Sequence, residues 1–387
     1  MTNLLRWTVV AVATLHGLIH LLGAAERFGW ADDPTLEKST GLGFLSLAAA
    51  ALLFAAALFA ALGAAWWWWA LALTAAVTSE AAILTSWEVS KSGTMVNLFL
   101  VFVAIYSFLL RGPVSFHSRW RKQATEALAA VEQHPAPLTE ADLAGLPDLV
   151  ATYVRQSGAV GRPRPTSVHA TFHGRIRNGP DARWMPFTGR QLNTFGENPR
   201  RLFVMDAARS GVPITVLHCY GEASATMRAK VMSMLTVVDA SGSEMDLGET
   251  VTVFNDLIVL APGAIPGAPI TWTQVSARQV EGVFTNDDQR VSAVLTFDGD
   301  HLVNFVSEDR PRASADGKSF TRQTWSTPVA GHTEADGCHV ITSGVGRWHD
   351  PRGWFTYVEL EFDEVRHNVD GVDRVGPVGA HQEGLRV

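Results

Sequence analysis

Two groups of residues in this sequence have types and spacings that suit chemistry. The first lies in apolar surroundings: His16 and His20, four positions apart and so on one helix face, with Glu80 and Asn97 in later apolar stretches. An ionisable group in hydrocarbon is costly unless it finds a partner or water, so these four are expected to gather into one intramembrane polar cluster. Such a cluster can fix helix packing through hydrogen bonds. It can also pass a proton between His16 and Glu80 along a small-solute pathway. A third use is a metal held by His16, His20 and Glu80, although zinc's fourth protein ligand is not evident. The second group is Glu249 and Asp256, on one face of an expected helix, with Arg310 after a strand. These three suit either a catalytic constellation on a membrane-derived substrate or a buried ion pair.

Other candidates are weaker. His218-Cys219 and Cys338-His339 have metal-ligand types, but neighbours on a strand point to opposite faces, so each pair offers one ligand per side. The two cysteines allow at most one bridge. His169 and His173 share a strand face and read as surface or satisfied core residues. No nucleophile elbow, phosphate loop, dinucleotide fingerprint or His-Glu-x-x-His string is present, so no cofactor is expected and enzymology lacks a positive signal.

The elements that position these groups fall into two regimes. Residues 1–111 hold only 5 of the 31 Lys+Arg and 6 of the 38 Asp+Glu. Four apolar stretches there, 4–24, 41–63, 66–87 and 95–110, each approach the roughly 20 residues that cross a bilayer as a helix. The first carries two histidines and is followed by three more spans, so it reads as a retained helix rather than a signal peptide. Trp7, Trp30, Trp66 to Trp69 and Trp87 fall at span ends, as interfacial anchors do. Arg6, Arg111, Arg119, Arg121 and Lys122 flank one side, against Arg27, Lys38 and Lys91 on the other. That balance favours cytoplasmic termini in the inner membrane, with a periplasmic soluble domain as the alternative.

Residues 112–137 read as a linker with an amphipathic juxtamembrane helix over 119–133, followed by a helix over 139–157 with a Thr139/Asp142 cap. From about Thr166 the period becomes two, and strands are expected at 166–176, 185–195, 201–209, 213–221, 225–238, 270–275, 278–285, 291–297, 301–308, 319–326, 338–347 and 354–362. A helix from Ser243 to Pro262 interrupts them, with Leu247, Val251, Phe254 and Ile258 on one face. Segment 225–238 is apolar on both faces, Met232 and Met234 lying on one, as a strand lining a cavity would be. A net charge of −7 and no basic face exclude a nucleic-acid partner.

Leu146-Pro147, Ser157-Gly158-Ala159, Trp184-Met185-Pro186-Phe187-Thr188, Val238 to Gly242, Gly248-Glu249 and Asp309-Arg310 together resemble an uncharacterised bacterial domain family over roughly residues 138–368. The resemblance implies a curved antiparallel sheet similar in outline to lipoprotein-carrier domains, and no known reaction. The sequence departs from the family pattern at Met205, where Trp is expected, and at Asp256, where Glu is expected.

The expectation is therefore a multi-domain protein. Residues 1–111 form a four-helix transmembrane bundle, 112–137 the juxtamembrane helix and linker, 138–370 an α+β domain with a half-barrel sheet and a covering helix, and 371–387 a flexible tail. The soluble domain is expected to bind a hydrophobic or lipid-like ligand through Trp184, Met232, Met234, Glu249, Asp256 and Arg310. Membrane lipids and an apolar small molecule are the expected partners.

Overall fold

The computed structural model describes residues 3–31, 36–63, 67–335 and 337–372. Trp66 and most of the expected tail, residues 373–387, lie outside them. The chain divides into two compact units, Met1–Ser118 and Arg119–Val387.

The first unit is helical: α1 (Asn3–Arg27), α2 (Thr40–Ala61), α3 (Trp68–Leu84), the single turn α4 (Trp87–Ser90) and α5 (Gly93–Arg111). Asn3–Arg27, Thr40–Ala61 and the run Gly93–Ala129 are long and apolar enough to cross a membrane, while Trp68–Leu84 is a shorter apolar helix. Buried Ala49, Ala50, Ala56, Ala57 and Ala60 on α2 let neighbouring helices approach closely. Trp68 does not act as an exposed anchor: it is fully buried and donates its indole N–H to Ala56 O at 2.8 Å.

The second unit begins within α6 (Phe116–Ala129). The helix expected over 139–157 is split, because Pro147 disfavours helical geometry at the residue before it. A short 3-10 turn, Glu140–Leu143, keeps the Thr139/Asp142 capping box, and α7 (Asp148–Gln156) follows.

Thirteen strands form one antiparallel sheet: β1 (Ser167–Ile176), β2 (Met185–Thr194), β3 (Arg200–Arg209), β4 (Val212–Gly221), β5 (Ser224–Val231), β6 (Leu235–Ser241), β7 (Ile270–Ser276), β8 (Gln279–Asn286), β9 (Gln289–Asp298), β10 (His301–Ala313), β11 (Phe320–Ala335), β12 (Cys338–Asp350) and β13 (Gly353–His367). Their spatial order is β6-β5-β4-β3-β2-β1-β13-β12-β11-β10-β9-β8-β7. Two meanders thus meet at the β1–β13 pair, leaving β6 and β7 as the two edges. The expected strand 225–238 is in fact two strands, with Met232 and Ser233 at positive φ in the turn between them.

A chain that ends β6 at one edge must cross to β7 at the other, and α8 (Ser243–Leu260) makes that crossing. Gly242, at φ 99°, supplies the left-handed turn out of β6 that a side chain would resist. Helix α8 contacts β5 and β6 from one half of the sheet and β9, β10 and β12 from the other, so the sheet wraps around it as a half-barrel. Against β8, β9 and the first half of β10 the packing is solid. Phe254 stacks on Phe284 at 5.4 Å and meets Phe305 edge-on at 5.2 Å. Gly282 permits this, since a Cβ there would lie 2.8 Å from Phe254 Cζ.

Part of the sheet's outer face, over β1–β4, is also covered. Trp120 of α6 is buried and donates to Leu202 O at 2.9 Å, Arg190 lies over its ring at 5.3 Å, and Cys219 Sγ donates to Gln123 Oε1 at 3.1 Å. The apolar face expected to meet lipid headgroups is therefore spent on the sheet. Cys219 and Cys338 are not joined by a disulfide.

Candidate functional site

Between α8 and the concave face formed by β2–β6 and β10–β13 the interior is hollow. A cavity of about 1120 Å³ is lined by inward-facing alternate residues of the strands, among them Phe187, Phe203, Met205, Ile214, Val216 and Met227. It stays open because this side of α8 presents Gly248, Glu249, Thr252 and Asp256, whose side chains are short or engaged in hydrogen bonds, where the opposite side presents Phe254 and Ile258.

One end of the cavity carries a buried ionic network centred on Arg201. Its Nη1 donates to Glu249 Oε1 at 2.7 Å, its Nε to Asp256 Oδ2 at 2.7 Å, and its Nη2 to Gln191 Oε1 at 3.0 Å. Asp256 Oδ2 also accepts from Gln191 Nε2 at 2.7 Å and Asn193 Nδ2 at 3.1 Å. Residues 191, 193 and 201 converge because Asn193 pairs with Arg201 across β2 and β3 and Gln191 lies two residues along the same face.

Burial raises the Asp256 carboxyl above its usual range although Arg201 opposes the shift. Burial also pushes Glu249 upward, but the surrounding positive charge outweighs it and leaves that carboxyl below its usual range. His218 Nε2 lies 3.2 Å from Glu249 Oε2, yet the approach is off the direction a hydrogen bond needs and Nε2 has no partner. Burial, aided by Arg201 and Arg310 and opposed by Glu249, takes His218 down to about 4. A neutral imidazole leaves the arginines to hold the Glu249 charge.

The expected grouping of Glu249 and Asp256 with Arg310 is not the one that forms. Arg201 occupies that place, while Arg310 donates through Nε to Gly248 O at 3.0 Å and through Nη2 to Thr252 Oγ1 at 2.6 Å. All three expected residues still line the cavity. Met232 and Met234 do not, because the β5–β6 turn carries them off the strand face; Met227 lines it instead. Trp184 is also away from it, under the guanidinium groups of Arg175 at 4.7 Å and Arg177 at 4.4 Å. Arg201, Gln191 and Asn193 are the site residues that reading the sequence missed, and His218, read there only as a weak metal ligand, joins them. The available signal was the polar pair Gln191 and Asn193, alternating on a face that also carries Phe187.

The histidine pair fares differently. His173 is half-exposed and bonds Asp363 at 2.7 Å, whereas His169 is buried beside Trp120 with no partner at either ring nitrogen. Burial, then Arg190 and Arg366, lowers His169 to about 4.

In the first unit, His16 Nε2 and His20 Nε2 meet Ser79 Oγ at 2.9 and 2.7 Å. Glu80 instead accepts from Thr94 Oγ1 at 2.8 Å and Asn97 Nδ2 at 2.7 Å. Ser79 thus serves the imidazoles while Thr94 and Asn97 serve the carboxylate, and Asn97 also lies beside His16. Among the described residues no group of three His, Cys, Asp or Glu side chains is placed to hold a metal ion, so the His16, His20 and Glu80 site does not assemble.

A family model described as "Family of unknown function (DUF6544)" matches residues 136–360. No curated protein matches the chain. Among solved structures, the chain is similar to a DUF1329 family protein from Desulfovibrio piger, at 13% identity and a TM-score of 0.32, covering 58% of this chain and 94% of that one. It is also similar to a LolA superfamily protein from Nitrosomonas europaea, at 11% identity and a TM-score of 0.31, covering 56% of this chain and 90% of that one.

Proposed function

The chain belongs to the family of unknown function that its residues 136–360 match, and from that premise we propose that it is a membrane-anchored protein whose second unit binds a hydrophobic or lipid-like ligand without acting on it chemically. The observation that carries this reading is the cavity between α8 and the concave face of β2–β6 and β10–β13. At about 1120 Å³ it lies just above the roughly 300–1,000 Å³ usual for small-molecule sites, and its wall is mainly aliphatic, aromatic and methionine side chains. The Arg201 network stiffens one end and satisfies its own charges, which suits a binding wall more than a reaction centre.

The first unit is the anchor in this reading. Helices α1, α2, α3 and α5 form a four-span bundle in the inner membrane, and the 17 residues of α3 reach about 26 Å, close to the roughly 30 Å hydrocarbon thickness. The basic residues flanking the spans favour a cytoplasmic second unit.

Native mass spectrometry of the full chain tests the proposal. Wild-type protein released from membranes is expected to carry a bound lipid-like mass, and Ala229→Trp, which fills the cavity from β5, is expected to lose it while keeping its β-sheet circular dichroism. Identical bound masses in the two proteins, or none in either, would refute carriage in this cavity.

A further inference from the structure

We propose that the ligand is an anionic amphiphile, its apolar body lying on the β3–β4 wall and its carboxylate or phosphate head on Arg310. This rests on the carrier reading above and narrows it.

Charge along the lining supplies the first argument. Five arginines, Arg177, Arg201, Arg209, Arg310 and Arg312, face three carboxylates, Glu244, Glu249 and Asp256. The carboxylates are already committed, two to Arg201 and Glu244 to Arg322 at 3.0 Å. Arg310 and Arg312 stand two apart on β10 and so share a face. Their hydrogen bonds reach only neutral acceptors: Gly248 O and Thr252 Oγ1 for the first, Gln323 Oε1 at 3.2 Å and Asn178 O at 2.9 Å for the second. The surrounding wall is aromatic, with Arg310 4.0 Å from the Trp325 ring centroid and Arg312 5.6 Å from that of Trp348. A guanidinium withdrawn from water onto indole faces with no carboxylate in hydrogen-bond contact, only the more distant charges of Glu249 for Arg310 and Asp350 for Arg312, is costly, and a bound anion reduces that cost.

The second argument is independent of charge. Arg310 Nη1, Trp325 Nε1 and Asn255 Nδ2 are buried without a hydrogen-bond partner, and all three residues line the cavity. Trp325 is 4% exposed and Asn255 6%. Asn255 lies seven residues on from Gly248 and three from Thr252, on the stripe of α8 that already meets Arg310. Each of these atoms is a donor with no acceptor role, so the group that satisfies them must bring oxygen lone pairs. A carboxylate or phosphate head does so, and an ammonium head or a bare hydrocarbon end does not.

The test is calorimetric titration of the full chain in nanodiscs with oleate, oleyl phosphate, methyl oleate and oleylamine, using Ala229→Trp as the blank for partition into the bilayer. Oleate or oleyl phosphate is expected to bind about tenfold or more tightly than methyl oleate, with oleylamine weakest, and whichever acid binds better identifies the head. Arg310→Gln is expected to bring the acids to the affinity of the ester and to leave the ester unchanged. Should that variant fail to fold, the wild-type ranking decides alone. Equal binding of acid and ester, or preference for the amine, overturns the head assignment and leaves carriage standing. No binding of any of the four overturns both.

Discussion

Replacing Arg201 with methionine should cost the second unit about 3–5 kcal/mol, the range for removing one partner from a buried ion pair. The structure explains why the cost is high. Arg201 is 9% exposed and holds two carboxylates, Glu249 at 2% and Asp256 at 14%, through bonds of 2.7 Å each. Methionine fills much of the arginine stem's volume but leaves both anions without their counter-charge. Gln191 and Asn193 can still donate to Asp256, so Glu249 suffers most, with a neutral His218 beside it. For a unit of this size each kcal/mol moves the midpoint by roughly 2–4 °C, which gives a fall of roughly 6–20 °C. The β-sheet band of the far-ultraviolet circular dichroism of the full chain during heating follows this unit, since all thirteen strands among the described residues belong to it. Adding Glu249→Gln and Asp256→Asn to Arg201→Met should recover more than half of the loss, because amides bury without charge. A single-variant loss under about 1 kcal/mol, or a triple variant no better than the single one, would show that the network is not the buried ionic hub described.

Two further expectations concern the same unit. His169 and His218 both sit at about 4 in the folded protein against 6.5 for a free imidazole, so between those values the unfolded chain binds protons that the folded one refuses. Their contribution to stability is complete above about pH 6.5 and falls on acidification, by at most about 1.4 kcal/mol per pH unit for each; denaturant midpoints at pH 7, 6 and 5 should fall steadily in wild type and less in His169→Gln/His218→Gln, and an unchanged slope would count against the assignment. Trp120→Ala, which empties a fully buried site and orphans Leu202 O, should cost about 3–5 kcal/mol in urea unfolding, whereas a cost near zero would mean that α6 does not cover the sheet.

Much of this architecture can be read from residue order. Period-two alternation from Thr166 onward places nearly every strand, and the Leu247, Val251, Phe254, Ile258 stripe identifies α8 despite its β-branched run. The split of 225–238 escapes that method because Met232 and Ser233 adopt positive φ without a glycine to mark the turn. Glu249 and Asp256 are legible as inward residues from helical spacing alone, but their partner is not. Arg201 opens β3 beside Arg200, where a charged residue reads as a solvated strand start, and only the pairing of Asn193 with Arg201 turns it inward. The fate of α6 was hidden for a similar reason. Trp120 among basic residues matches a bilayer-surface helix as well as one packed on a sheet, and amphipathicity does not name the surface that receives it.

The seam between β1 and β13 has a consequence for how the protein is made. The last of the described strands, β13, does not join an edge; it enters the middle of the sheet, pairing Val168 with His367 across nearly two hundred residues. Until it arrives, each meander exposes an unpaired backbone edge and half of a greasy concave wall, a form in which nascent chains readily associate with one another. Closure of so distant a pair is also entropically slow. The second unit therefore completes its sheet only once β13 has been made and has docked against β1.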